Sequence, residues 1–374
     1  MELVASVVLL AVTAGFSVRW LRVAQREHYI PGCVTRFWWR WLRTGPLNLA
    51  LGLALLAACV VGIRVPAVLL AAAVVMAVWP VGLGPRGRTG MLAWTRRLRT
   101  VAGATVIIGA AVGVVVGLTS GLVPVAAAIA VLVPFIVDAA LLVTAPLEAR
   151  LADRHLRAAG AKLGRIKPVV VAITGSYGKT STKEHLRDLL VGSYEVVASP
   201  ASFNNKAGLS RAINEQMIGS CEVFVAEMGT YGPGEIRELC EAIPPDIGVI
   251  TAIGPVHLER MGSLEAITAA KSEILEHAKT AILNVDSPQL ADLAPDVAAR
   301  IEVVRCGSAD ETVDVAVIAR GADFEVRVAG ARHVVPRPEG VQPGNVACAI
   351  AAARAIGLSQ EQIGERIVKL SPPP

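Results

Sequence analysis

Residues 174 to 181 read Thr-Gly-Ser-Tyr-Gly-Lys-Thr-Ser, and these residue types at this spacing suit the binding of phosphate oxygens. Gly175 and Gly178 permit a tight turn that turns backbone N–H groups outward, with Ser176 between them. Lys179 supplies a cation for β- and γ-phosphates, and Thr180 offers a hydroxyl to Mg2+. The placement supports this chemistry, because Pro168 to Ile173 reads as a buried strand and Thr182 to Val191 as a helix whose N-terminus would face the anion. The match to the full pattern GxxxxGK[ST] is incomplete: Ile173 stands where its first glycine belongs, so a shorter loop is implied. A chance Gly-Lys-Thr turn is the alternative, and the strand and helix on either side weigh against it.

Two later apolar runs also end in polar residues, and open α/β sheets bind ligands beyond the carboxyl ends of their strands. Glu222 to Ala226 runs into Glu227-Met228-Gly229, and Ile247 to Ile253 into Gly254-Pro255-Val256-His257. An acid at a strand tip beside a phosphate loop can hold Mg2+ directly or through water. Taken singly, Glu227 and His257 would be surface residues about as often as ligands. The six cysteines (Cys33, Cys59, Cys221, Cys240, Cys306, Cys348) form no CxxC pair and have no zinc-type spacing to histidine, so they read as small core residues.

The elements that must position this loop begin near Pro168, where short apolar runs alternate with amphipathic helices in the manner of an α/β domain with a mostly parallel sheet. What precedes them is different. The chain is 53% hydrophobic with a mean hydropathy of +0.55, too apolar for an ordinary soluble enzyme, and the excess lies before Pro146. Charge-free runs cover Leu3 to Val18, Thr44 to Ile63, Val65 to Pro85 and Thr100 to Val137, against the ~20 residues a helix needs to cross a bilayer. Dividing the last run at Thr119-Ser120-Gly121 predicts five membrane spans over residues 1–146. Residues 147–167 then read as a charged, Ala-rich linker helix.

Charge follows the same division. Residues 1–146 carry twelve arginines against Glu2, Glu27 and Asp138, a balance of +9, whereas 147–374 sum to −4. The basic character therefore belongs to the membrane part, which removes the main support for a nucleic-acid partner and points to membrane lipid. Arginines fill the first loop (Arg19, Arg22, Arg26, Arg36, Arg40, Arg43) and the third (Arg86, Arg88, Arg96, Arg97, Arg99), while the second has only Arg64 and the fourth has none. Arginine is retained inside, so the N-terminus is expected outside and everything after the fifth span in the cytoplasm. All six tryptophans lie at or before Trp94, as interfacial anchors should. Asp138, an acid in an apolar run, is a candidate for transport or lipid binding, or a residue near a helix end that reaches water.

The motifs TGSYGKTS, SFNN (Ser202 to Asn205), EMG (Glu227 to Gly229), GPVHLERMGSLEAITAAKSEI (Gly254 to Ile274) and LNVD (Leu283 to Asp286), in this order, resemble the central domain of the Mur ligases. The resemblance covers residues 168–374. It implies a P-loop domain of Mur ligase type using ATP and Mg2+, in which a carboxylate is phosphorylated and an amine displaces the phosphate to form an amide. On this footing Gly175, Ser176, Gly178, Lys179, Thr180 and Ser181 hold the triphosphate, and Glu227 and His257 help bind magnesium with Thr180. Asn204 and Asn205 lie near the phosphates and the acyl substrate, and Asn284 and Asp286 near adenine and ribose. Asn345 matches a further position near the nucleotide, with a helix N-cap as the equal alternative. The lysine matching Lys271 reacts with CO2 to a carbamate that holds a second magnesium. Otherwise Lys271 is an exposed helix lysine paired with Glu273 or Glu276.

Two departures qualify the resemblance. A membrane bundle stands where the family has the domain that grips a UDP-sugar, and the sequence ends at Pro374, about where the family passes into the domain that brings the amine. The reading is a membrane-anchored ATP-dependent amide ligase of cell-wall type, acting on a muramoyl peptide or related carboxylate with an amino acid or dipeptide as amine. It is expected to be incomplete in this chain and to need a separate C-terminal domain. An ATP-holding module that recruits cell-wall enzymes to the membrane is the alternative.

Overall fold

The computed structural model describes residues 1–81, 83, 92–200, 203–230, 232–256 and 258–370. Arg86, Arg88, Ser202 and His257, all singled out above, lie outside the described residues. The chain forms two compact units, Met1–Leu151 and Ala152–Pro374.

The first unit contains the helices α1 (Glu2–Arg26), α2 (Cys33–Arg43), α3 (Pro46–Gly62), α4 (Val68–Val78), α5 (Arg96–Ser120) and α6 (Leu122–Ile166), the last of which continues into the second unit. Three of them, α1, α5 and α6, are long and apolar enough to cross a membrane, and α2 with α3, bent by 114°, makes up to a fourth. Among the described residues this is up to four of the five spans expected. The described part of the run from Val65 to Pro85 holds the 11 residues of α4 as helix, about 16 Å at 1.5 Å per residue, against ~30 Å of hydrocarbon. The division of the long apolar run falls where expected: Gly121, at φ +81°, ends α5 and α6 starts one residue on. No break occurs at 146, because α6 runs unbroken through Pro134 and Pro146.

Asp138 has a structural use. Its carboxylate accepts hydrogen bonds from the backbone N–H groups of Gly32 (3.0 Å), Val34 (3.2 Å) and Thr35 (2.7 Å) and from the Thr35 hydroxyl (2.5 Å). These donors are the ones that the start of α2 leaves without intrahelical partners, and the helix dipole favours an anion there. The acid in the apolar run is accounted for by capping α2.

Among the described residues of the second unit nine strands form one sheet: β1 (Val169–Thr174), β2 (Val196–Ala198), β3 (Val223–Glu227), β4 (Ile247–Ile250), β5 (Thr280–Asn284), β6 (Glu302–Gly307), β7 (Val315–Arg320), β8 (Asp323–Val328) and β9 (Ala331–Pro336). Their order is β2-β3-β1-β4-β5-β6-β7-β8-β9. The pairings are parallel as far as β7, as expected, and β7-β8-β9 close antiparallel through turns at Gly321 (φ +63°) and Gly330 (φ +81°). The helices are α7 (Lys179–Leu190), α8 (Lys206–Arg211), α9 (Glu235–Ala242), α10 (Leu258–Met261), α11 (Leu264–Ser272), α12 (Pro288–Ala298), α13 (Pro343–Ile356) and α14 (Gln360–Ile367).

The central strands are apolar on both faces because both are covered. In β1, Val171 and Ile173 pack with Leu186 and Leu189 of α7 and the Ala-rich face of α13. Val170 and Ala172 point the other way, into a core with Leu163 of α6, Leu239 of α9 and Leu290 of α12. The chain leaves β1 to build β2 and β3 on one side and then β4 to β6 on the other. This reversal places a crevice at the carboxyl ends of β1, β3 and β4, where ligands of open sheets bind.

Candidate active site

Four strand ends converge on that crevice: Thr174 of β1, Glu227 of β3, Ile250 of β4 and Asn284 of β5. The loop after β1 is stitched to the end of β4. Ser176 donates its backbone N–H to Ala252 (2.8 Å), and its hydroxyl both donates to the Gly254 carbonyl (3.1 Å) and accepts from the Gly254 N–H (2.9 Å). The Thr251 hydroxyl donates to the Tyr177 carbonyl (2.5 Å). Both loop glycines are obligatory. A Cβ on Gly175 would lie 2.0 Å from Thr251 Oγ1, and one on Gly178, which sits at φ +82°, 2.2 Å from Asn345 Oδ1. Gly178 is the residue before α7, so the helix N-terminus opens directly onto the loop, and Lys179, Thr180 and Ser181 form its first turn.

Lys179 is folded across this loop, its Nζ donating to the Gly175 carbonyl at 2.7 Å. Burial pulls its ammonium below the ordinary lysine range, while Glu227 opposes that shift. The Thr180 hydroxyl donates to Glu227 Oε2 (2.9 Å), and the same oxygen faces Lys183 Nζ at 3.4 Å. Asn204 Nδ2 approaches the other carboxylate oxygen at 3.4 Å. Glu227 is only 2% exposed, and its backbone N–H is held by Ser199 Oγ at 3.0 Å. Among the described residues no three His, Cys, Asp or Glu side chains cluster as a metal site. Mg2+ is commonly bound by one or two carboxylates and phosphate oxygens. The hydroxyl–carboxylate pair Thr180–Glu227 at the mouth of a glycine cradle fits both a magnesium ion and a nucleotide triphosphate.

Lys271, at the end of α11, is 5% exposed. Burial draws its pKa down to about 8, and the positive charge of Lys179 acts in the same direction. The acids set against it as alternative partners are engaged elsewhere. Glu273 accepts from the backbone N–H groups of Gly234 (2.7 Å) and Arg237 (3.0 Å), and Glu276 takes the Arg237 guanidinium at 2.6 and 2.7 Å. Among the described residues Lys271 makes no ion pair, so it is not an exposed, paired lysine.

On the other flank, Asn284 donates to the Thr251 carbonyl (2.8 Å) and accepts from the Asp286 N–H (3.2 Å). The Asp286 carboxylate accepts from the Ser308 N–H, the Ser308 hydroxyl and the Ala309 N–H at 2.7 to 3.0 Å, so much of its capacity is spent on the turn after β6. Asn345 is not a helix cap. Gln342 holds that position for α13, and the Asn345 side chain lies over Gly178 instead. Asn205 does cap a helix, accepting the Gly208 N–H at the start of α8 (3.0 Å), while Asn204 beside it faces Glu227.

One residue of this constellation escapes a reading of motifs. Lys183 is 0% exposed and has Glu227 and Glu184 within 3.4 Å of its ammonium. The available signal is its spacing, four residues after Lys179 on one face of α7.

Residues 173–336 match the family model of the Mur ligase middle domain. The UDP-N-acetylmuramoyl-tripeptide--D-alanyl-D-alanine ligase of Mycobacterium tuberculosis is 34% identical over 214 residues, 54% of this chain and 41% of the relative. The enzyme of that name from Rickettsia prowazekii is 45% identical over 112 residues, 30% and 24% of the two chains. The chain thus spans less than half the length of the curated relatives it matches. Among solved structures, the MurF ligase of Thermotoga maritima in complex with ADP superimposes with a TM-score of 0.51 at 30% identity, covering 57% of this chain and 52% of that one. MurF from Acinetobacter baumannii gives 0.51 at 26% identity, covering 57% and 49%. Over residues 173–336, in sequence and in fold, this chain is similar to the middle domain of the Mur ligases.

Proposed function

We propose that the chain is a membrane-anchored, ATP-dependent amide ligase of Mur type that acts in peptidoglycan precursor synthesis. The observation that carries this reading is the convergence of Lys179, Thr180 and Glu227 on one glycine cradle, with the charge of Lys179 felt at the buried Lys271. ATP supplies a phosphoryl group that converts a substrate carboxylate to an acyl phosphate, and an amine then displaces phosphate to leave an amide. In this scheme Lys179 leaves the Gly175 carbonyl to hold the β- and γ-phosphates, and the backbone N–H groups of 175–181 line the oxygens. Thr180 and Glu227 hold Mg2+, with His257 assigned beside them by resemblance. Asn204 stands beside Glu227 toward the acyl substrate, Asn284 and Asp286 flank the nucleoside, and Asn345 stands over Gly178 near the nucleotide. The relatives' names point to a muramoyl tripeptide as carboxylate and D-alanyl-D-alanine as amine. The test supplies that pair to the chain together with a separately added C-terminal Mur ligase domain, and reads ATP-dependent phosphate release and the amide product by mass. Tight ATP binding without turnover even with that domain present would favour an ATP-holding recruitment module instead.

Lys271 enters as a carbamate. Its amine must be unprotonated to attack CO2, and a pKa near 8 in place of 10.5 makes the free amine far more abundant at neutral pH. Attack on CO2 forms the N–C bond and releases one proton to solvent, and the resulting anion would be one that a bound Mg2+ could stabilise. Lys271→Ala is expected to abolish ligation and to regain part of it when formate or acetate is added, because a short carboxylate can occupy the vacated anion site. Full activity of the variant without rescue would remove this role.

The membrane reading places the N-terminus outside and the nucleotide unit in the cytoplasm, on the arginine asymmetry between loops. The six native cysteines are all buried free thiols, so a cysteine introduced at the exposed Ser120 dominates labelling. Impermeant maleimide is expected to modify it from outside intact cells. Labelling only after the inner face is opened would reverse the topology.

A further inference from the structure

The first unit holds a cavity that ligation does not use. It measures about 380 Å3 and is lined by Phe16 of α1, Trp38 and Trp39 of α2, Leu53 of α3, Trp79, and Phe135 of α6 among other apolar residues. The volume is that of a small-ligand site, and its walls carry no charged side chain. The Trp79 indole N–H is spent on the Asn48 carbonyl (3.0 Å). Water needs two to four polar partners to occupy such a space, so its chemistry suits hydrocarbon. On the open side Trp39, Leu53 and Phe135 are exposed.

The wall that α2 contributes is also the carrier of positive charge. Arg36, Arg40 and Arg43 recur at helical spacing on a helix that contains no acid, and the Arg43 guanidinium lies 4.7 Å from the Trp39 ring centroid. Among the described residues neither Arg36 nor Arg43 pairs with a carboxylate. The helix is fixed in place by Asp138 at its N-terminus, and Trp38 packs edge-on against Phe135 at 5.5 Å. A basic, tryptophan-rich helix of this kind belongs at a membrane surface, where arginines attract anionic headgroups. An apolar cavity and an arginine on one of its wall residues together match a molecule with a hydrocarbon chain and a phosphate.

We propose that this cavity binds one chain of an anionic bilayer phospholipid, whose phosphate rests on the Arg43 end of α2. The inference depends on the first unit lying in a membrane and is independent of the ligase chemistry, which ATP binding reports separately. Three of the six tryptophans line the cavity, so their fluorescence is the readout. The full chain is placed in phosphatidylcholine nanodiscs containing a small fraction of lipid brominated on its acyl chain. Brominated phosphatidylglycerol is expected to quench at fractions where brominated phosphatidylcholine does not. Neutralising Arg36, Arg40 and Arg43 to Gln should shrink that preference by roughly fivefold per arginine. Val131 of α6 also lines the cavity, and Val131→Phe, which fills it, should remove the phosphatidylglycerol-specific quenching. Leu53→Gln, at an exposed position that needs no repacking, should weaken it if Val131→Phe does not fold. Equal quenching by the two lipids would show bulk contact only and overturn the proposal, as would a preference that survives the triple variant. Displacement of brominated phosphatidylglycerol by trace polyprenyl phosphate would overturn the assignment to a bilayer lipid and give the cavity to an isoprenoid chain.

Discussion

Lys183→Met is expected to destabilise the nucleotide unit by about 3–5 kcal/mol, the cost of leaving one member of a buried ion pair without the other. Methionine nearly preserves the length of the side chain, so the loss isolates charge from packing. Glu227 would retain the hydroxyl of Thr180 and the amide of Asn204, but at 2% exposure it would have no cation bonded to it. The expected readout is a fall of about 10 °C in the melting temperature of that unit. The double variant Lys183→Met/Glu227→Gln should recover much of it, because an uncharged pair carries no unpaired ion. A melting temperature equal to wild type in the single variant would show that the pair contributes nothing to stability.

One helical turn earlier the expected effect is of another kind. Lys179→Ala should leave the melting temperature of the apo protein nearly unchanged, since the half-buried side chain has a single bond to the Gly175 carbonyl. It should weaken Mg·ATP binding by about 1.5–3 kcal/mol, the loss of a charge-assisted contact to phosphate. That is roughly 10- to 150-fold in Kd by calorimetric titration. The two lysines of α7 are thus separable, one acting on stability and the other on affinity. Unchanged ATP affinity in Lys179→Ala would remove the phosphate-loop assignment.

The glycine turn after β1 was legible in the sequence because backbone geometry dictates residue type there. Gly175 and Gly178 sit where a Cβ would collide with Thr251 and Asn345. The strand-end position of Glu227 was legible for a similar reason, since a fully buried parallel strand is an apolar run and its first acid marks the end. Lys183 was not legible. It lies in the polar stretch Lys-Thr-Ser-Thr-Lys-Glu-His, and its burial comes from packing that local pattern does not encode. Asp138 illustrates the same point at longer range. Its partners, Gly32 to Thr35, stand more than a hundred residues earlier in the chain, so the cap is invisible to any local window. Hydropathy registers apolar length and not helix geometry: among the described residues α2 bends by 114° to α3, and α4 has 11 residues.

The most direct test of the account is a structure of the full chain with a non-hydrolysable ATP analogue, Mg2+ and bicarbonate. The triphosphate is expected on the N–H groups of 175–181, with Lys179 withdrawn from Gly175 to the γ-phosphate. Magnesium should stand between Thr180 and Glu227, and the Lys271 side chain should end in extra density consistent with a carbamate. A nucleotide bound elsewhere, or bound here with Lys179 still on the Gly175 carbonyl and a bare Lys271 amine, would contradict the assignment of this crevice as the ligase centre.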